Sequence, residues 1–138
     1  MIVVDTGAVL ALVDADDKHH RVLRAVFEGD PNAWVLPWAV LPEVDYLLAT
    51  HVGARAEEAF LADLSSGAYR VEWGKEEDLE RAHRLATKYR ALKLGLVDCT
   101  VIAVAERLNP GAIATLDLRH FGAVAIQGRP KLFPRDLP

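Results

Sequence analysis

The sequence predicts an α/β fold with a parallel sheet covered by helices on both faces. Two observations point there. Short apolar runs, Ile2-Val3-Val4, Trp34-Val35-Leu36 and Ala112-Ile113-Ala114-Thr115, alternate with longer segments of helical periodicity. These runs are apolar at successive positions, as in strands buried on both faces, rather than at every second residue.

The elements follow in order. Ile2 to Val4 reads as a first strand, ended by Asp5-Thr6-Gly7, and Ala8 to Val13 starts a helix. Asp16 to Phe27 reads as a second helix with Val22, Leu23, Val26 and Phe27 on one face. Gly29-Asp30-Pro31-Asn32 is a loop before the strand Trp34 to Leu36. Proline is tolerated in a first helical turn but not in a helix interior. The segment between Pro37 and Pro42 therefore opens a helix near Trp38 to Pro42, which runs to about Thr50 and carries Glu43 early. Ala54 to Leu64 is amphipathic and stops at Ser65-Ser66-Gly67, and Tyr69 to Trp73 alternates like a strand. Lys75 to Ala91 is a polar helix with Leu79, Ala82, Leu85 and Ala86 inward. Leu96 to Leu108 is apolar on nearly every side, so it belongs at the centre, and Asn109-Pro110-Gly111 ends it. Val124 to Ile126 reads as a last short strand.

At 138 residues, without a linker or repeat, a single domain over 1–138 is expected. The chain is 51% hydrophobic and 26% charged, which argues against disorder. No apolar run approaches the roughly 18 residues of a membrane span. The opening Met1-Ile2-Val3-Val4-Asp5 does not read as a signal peptide, so the cytoplasm is the expected compartment. Cys99 is the only cysteine and reads as a buried thiol. The net charge of −4 argues against coating nucleic acid by bulk electrostatics, but not against gripping a few phosphates locally. Arg119, Arg129, Lys131 and Arg135 lie in a stretch from Leu118 to Arg135 that has no acid, and are candidates for that grip. The acidic stretch Glu72 to Glu80 reads as solvated surface.

Four dispersed acids carry the chemistry: Asp5, Glu43, Asp98 and Asp117. Each alone has a structural explanation. Asp5 suits a helix cap, Asp98 the first turn of a helix, Glu43 an exposed helix position, and Asp117 a turn. Together they read differently. In open α/β sheets ligands bind beyond the carboxyl ends of the strands, and Asp5 and Asp117 both follow strands. No matching set of lysines or arginines answers these acids. Converging carboxylates without cations want a divalent ion, and oxygen donors favour Mg²⁺ or Mn²⁺ over zinc. There is no nucleophile elbow of the Gly-x-Ser-x-Gly type and no glycine-rich phosphate loop.

The ordered pieces Ile2-Val3-Val4-Asp5-Thr6-Gly7, Leu41-Pro42-Glu43-Val44-Asp45-Tyr46-Leu47, Gly95-Leu96-Val97-Asp98-Cys99 and Ala114-Thr115-Leu116-Asp117-Leu118-Arg119-His120-Phe121 resemble those of PIN-domain ribonucleases of the VapC type, the toxins of type II toxin–antitoxin pairs. The resemblance spans nearly the whole chain. It implies a Rossmann-like three-layer α/β/α sandwich with a mostly parallel central sheet. It also implies Mg²⁺ or Mn²⁺ held mainly by Asp5 and Asp98, with Glu43 and Asp117 completing the cluster and Thr6 and Thr115 supporting the acids. The implied activity is endonucleolytic hydrolysis of RNA. The implied partners are a cognate antitoxin, whose helix or tail fills an apolar groove that Trp34, Trp38 and Trp73 are candidates to line, and a second copy in a homodimer. Cys99 departs from the alanine common at that position, and Asp45 falls off Glu43's helical face and outside the core set. The rival from another class is a non-catalytic PIN-fold scaffold. Loss of an acid is the mark of such a scaffold, and all four are present.

Overall fold

A computed structural model describes all residues 1–138. The strands are β1 (Ile2–Val4), β2 (Trp34–Pro37), β3 (Arg70–Glu72), β4 (Ala112–Ala114) and β5 (Lys131–Phe133). They form one sheet in the order β3-β2-β1-β4-β5, and every neighbouring pair is parallel. The helices are α1 (Thr6–Val13), α2 (His20–Gly29), α3 (Val40–Leu47), α4 (Ala54–Ser66), α5 (Glu76–Lys88), α6 (Leu96–Leu108) and α7 (Leu118–Phe121). Val3, Val4, Val35, Leu36 and Ile113 are fully buried, as strands covered on both faces must be. α6 supplies Val101, Ile102 and Val104 to the same core and is buried along most of its length, as its all-round apolar character requires.

The strand order reverses at β1. From β1 the chain goes first to β2 and β3 on one side, then returns to lay β4 and β5 on the other. Crossovers therefore leave β1 in one direction and enter β4 from the other, opening a crevice between their carboxyl ends. Val4 pairs with Ala114, so the next residues, Asp5 and Thr115, emerge side by side.

Several details differ from the sequence reading. The second helix starts at His20 rather than Asp16, because Asp14 and Asp17 turn their carboxylates onto the amides of Asp16 and His19 at 3.1 and 2.8 Å. Val22 is exposed, and Leu23 alone of that face is fully buried. The third helix gives way to a π-helical turn over Leu48–Val52. Ala82 and Leu85 of α5 are buried as expected, but Leu79 faces solvent, the inward place at that end of the helix being taken by Asp78. Leu96 is exposed at the mouth of α6. Val124 and Ile126 are buried, but they lie in an irregular loop; the true last strand is Lys131–Phe133, hidden in the sequence by its flanking prolines. Trp34 is a core residue packed edge-on against Phe27, so it lines no groove, whereas Trp73 is 74% exposed. Gly74, at φ 85°, leaves room for Trp38; a Cβ there would stand 2.8 Å from the indole nitrogen.

The acidic stretch Glu72 to Glu80 is not merely solvated surface. Asp78 is buried and takes both Arg107 Nε and Nη2, at 2.8 and 2.9 Å, while Glu72 accepts from the same guanidinium at 2.8 Å. Arg81 binds Glu106 beside them. Burial alone would raise the Asp78 carboxyl, but Arg107 and the Lys75 amide outweigh it and hold it below its usual range. This network ties β3 and α5 to the end of α6. Removing one partner strands a buried charge, so Arg107→Ala should lower unfolding free energy by roughly 3 kcal/mol in urea titration. A loss below about 0.5 kcal/mol would mean the pair is no more than a surface contact.

Candidate metal centre

Asp5 occupies the N-cap position of α1, yet its side chain makes no capping hydrogen bond. It is 5% exposed, and its Oδ2 accepts from Thr115 Oγ1 at 3.1 Å. The same Thr115 oxygen accepts from the Asp117 backbone amide, also at 3.1 Å. One hydroxyl thus links the end of β1 to the turn after β4. Asp117 caps α7, its Oδ1 accepting from His120 N at 3.1 Å. Asp98 enters from the first turn of α6 and Glu43 from the first turn of α3. Asp5, Thr6, Glu43, Asp98 and Asp117 all line one open cleft of about 510 Å³, walled by Leu10, Leu47 and Leu116. The fold therefore brings together all four acids expected to meet. Asp45 stands apart: its carboxyl faces Glu57 of α4, which raises the latter.

No lysine or arginine forms an ion pair with any of the four. Burial pushes the Asp5 carboxyl up to about 7, assisted by the charges of Asp98 and Asp117 and opposed by the Thr6 amide and the Thr115 hydroxyl. Burial also raises Asp98, which His120 pulls down while Asp117 and Glu43 push it up. Thr6 Oγ1 is buried beside Asp5 without any hydrogen-bond partner. Desolvated carboxylates that repel one another, next to an orphaned hydroxyl, fit a divalent cation with oxygen ligands.

His120 was missed as a site residue. Its Nδ1 lies 2.9 Å from Asp98 Oδ2 and 2.9 Å from Asp117 Oδ2. The signal was the spacing: a histidine three residues after a capping aspartate shares its helical face.

The candidate RNA-binding cations separate into two pairs. Arg119 and Lys131 are exposed and line none of the depressions described here. Arg135 and Arg129 each line a depression. Leu116 is shared by the acidic cleft and a second depression, which reaches Arg135; Arg135 in turn borders a third, floored by Phe121 and Leu132 and edged by Arg129. Arg135 holds Asp136, whereas Arg129 has no ion-pair partner and stands at φ 48°, a left-handed conformation unusual for a side-chain-bearing residue.

The family model for the PIN domain matches residues 2–127. Ribonuclease VapC26 of Mycobacterium tuberculosis is 36% identical over 123 residues, which cover 89% of this chain and 91% of that protein. Among solved structures, the sarcin–ricin loop cleaving toxin VapC20 of the same organism aligns with a TM-score of 0.80 at 26% identity, covering 93% of this chain and 98% of that one. DNA-bound VapBC from Salmonella typhimurium aligns at 0.73 with 14% identity over 95% of each chain, a likeness of fold alone.

The pKa of Asp5 has a consequence for stability. The native state binds this proton more tightly than the unfolded chain does. The associated stability is full below pH about 4, declines as pH rises and is lost above pH about 7, a change of about 4 kcal/mol. Asp5→Asn should therefore stabilise the metal-free protein at pH 8, by roughly 2–4 kcal/mol, and flatten this dependence. Denaturant titrations from pH 4 to pH 8 in EDTA check it; a destabilised Asn variant at pH 8 would show that Asp5 is already relieved of its charge strain.

Proposed function

The chain belongs to the PIN-domain family, and from that premise we propose that it is a divalent-metal-dependent endoribonuclease, the toxin of a toxin–antitoxin pair. The observation that carries the reading is the convergence of four carboxylates on one cleft at the reversal point of the sheet, with no lysine or arginine to neutralise them. The identity to a VapC ribonuclease over nine-tenths of the chain supports it.

Asp5 and Asp98 would hold the cation, Mg²⁺ or Mn²⁺, with Glu43 and Asp117 completing the acidic set. Bound there, the ion supplies Lewis-acid chemistry, polarising the phosphoryl oxygen and acidifying water. The remaining work falls to the protein. Thr115 orients the Asp5 carboxylate through its hydroxyl and ties it to the Asp117 turn. Thr6 offers a free buried hydroxyl in the same cleft. The uncompensated acids repel phosphate, which keeps RNA out until that charge is balanced. Arg129 and Arg135 then hold phosphates of the strand as it leaves the cleft. The sarcin–ricin loop, which VapC20 of M. tuberculosis cleaves, is the RNA to assay first.

The partners follow from the same family. A small antitoxin would cover apolar surface and block the cleft, and the exposed Tyr46, Val52 and Leu61 around α3 and α4 provide such surface. Dimerisation is part of the same proposal. No helix is long and apolar enough to cross a membrane.

Asp5→Asn and Asp98→Asn should each abolish cleavage in Mg²⁺ or Mn²⁺ while circular dichroism stays native, and EDTA should do the same to the wild type. Full activity in EDTA would sink the mechanism, and failure to bind Mn²⁺ in calorimetry would favour a scaffold. Arg129→Ala should raise KM about fivefold with kcat unchanged and reduce the salt dependence of RNA binding by about one phosphate contact. An unaltered KM and salt slope would place the strand elsewhere.

A further inference from the structure

We propose that His120 is a direct ligand of the bound cation, so that Asp98, Asp117 and His120 form a mixed nitrogen–oxygen centre that favours Mn²⁺ over Mg²⁺. The proposal rests on the metal-centre reading above and deepens it.

Three features carry it. The first is spacing. The Nδ1 of His120 is 2.9 Å from an oxygen of Asp98 and 2.9 Å from an oxygen of Asp117, and the three residues offer donor atoms that all lie within 4.8 Å of one another. Neighbouring ligands around an octahedral ion with bonds near 2.1 Å stand about 3.0 Å apart. The imidazole nitrogen and each carboxylate oxygen already hold that separation.

The second is hydrogen-bond arithmetic. Nδ1 carries at most one proton, and one N–H cannot align well with two acceptors at once. The hydrogen bond from that nitrogen goes to Asp98 Oδ2, which leaves the equally close Asp117 Oδ2 without a proton from it; a cation would bond all three donors.

The third is anchoring. The His120 backbone amide donates to Asp117 Oδ1 at 3.1 Å, which fixes the start of α7 beneath the ring. Asp98 arrives from α6, a separate and well-buried element. The donors therefore meet through tertiary structure, and one of them is not an acid. Oxygen-only clusters suit Mg²⁺, which holds its waters and hard oxygen ligands; an imidazole shifts preference toward first-row transition ions.

The test uses the folded chain loaded with Mn²⁺ and electron spin-echo envelope modulation, which detects nitrogen bonded to the ion. The expected result is a ¹⁴N coupling in the wild type, converted to ¹⁵N when histidine is isotopically labelled and absent in His120→Asn. The labelling arm needs no variant, so it stands even where the substitution harms folding. In calorimetry, His120→Asn should lose at least about tenfold in Mn²⁺ affinity and less than about threefold in Mg²⁺ affinity. Mn²⁺ bound without nitrogen coupling would overturn the proposal and leave the acidic centre intact, with His120 only hydrogen-bonding the acids. Failure of the wild type to bind Mn²⁺ would overturn both.

Discussion

The parallel pairing of β1 with β4 is the constraint on which the candidate centre depends. Ile2, Val3 and Val4 lie opposite Ala112, Ile113 and Ala114, and the Asp5 amide continues the ladder by donating to Ala114 O at 2.9 Å. A shift of one residue would turn every side chain of one strand to the opposite face. It would also part Asp5 from Thr115. The buried valines and Ile113 resist that shift, so hydrophobic register sets the position of a polar hydroxyl–carboxylate contact. Residues 110 positions apart in sequence are thereby held at hydrogen-bond distance.

Electrostatic strain is the complement of that rigidity. The sheet buries Asp5, and α6 and α7 bring Asp98 and Asp117 toward it without an arginine or lysine in reply. Elsewhere the chain treats buried acids differently: Asp78 receives a two-point grip from Arg107, which holds its carboxyl down. Within one small core, one buried aspartate is raised and another lowered. The contrast separates a carboxylate held by a fixed guanidinium from one buried without such a partner. The Arg107 network joins β3 and α5 to α6, the helix that also presents Asp98. Packing far from the cleft thus supports the position of an acid within it.

Much was legible in the sequence because its determinants are local. Apolar runs marked β1, β2 and β4. The helix of Leu96 to Leu108 was bounded correctly, since an all-round apolar segment between Gly95 and Asn109 has few other solutions. Asp5, Glu43, Asp98 and Asp117 were identifiable from their places at strand ends and in first helical turns, which such a fold gathers on one side. The misread parts were those where a neighbour decides. Leu79 has the right period but is exposed, because the inward place at that end of α5 goes to Asp78, which Arg107 of α6 holds. The apolar Val124 and Ile126 are buried without pairing, while Lys131 to Phe133 pairs despite its charge and flanking prolines.

The sequence by itself determined the class of fold and the acidic character of its centre, because periodicity, strand ends and first helical turns are properties of neighbouring residues. Tertiary structure alone decided which groups share the cleft. It placed Thr115 against Asp5, left Thr6 without a partner and set His120 between Asp98 and Asp117. It also put Arg129 and Arg135 in the walls of depressions that Arg119 and Lys131 do not line. Those outcomes depend on distances between elements remote in sequence, and such distances exist only once the core has packed.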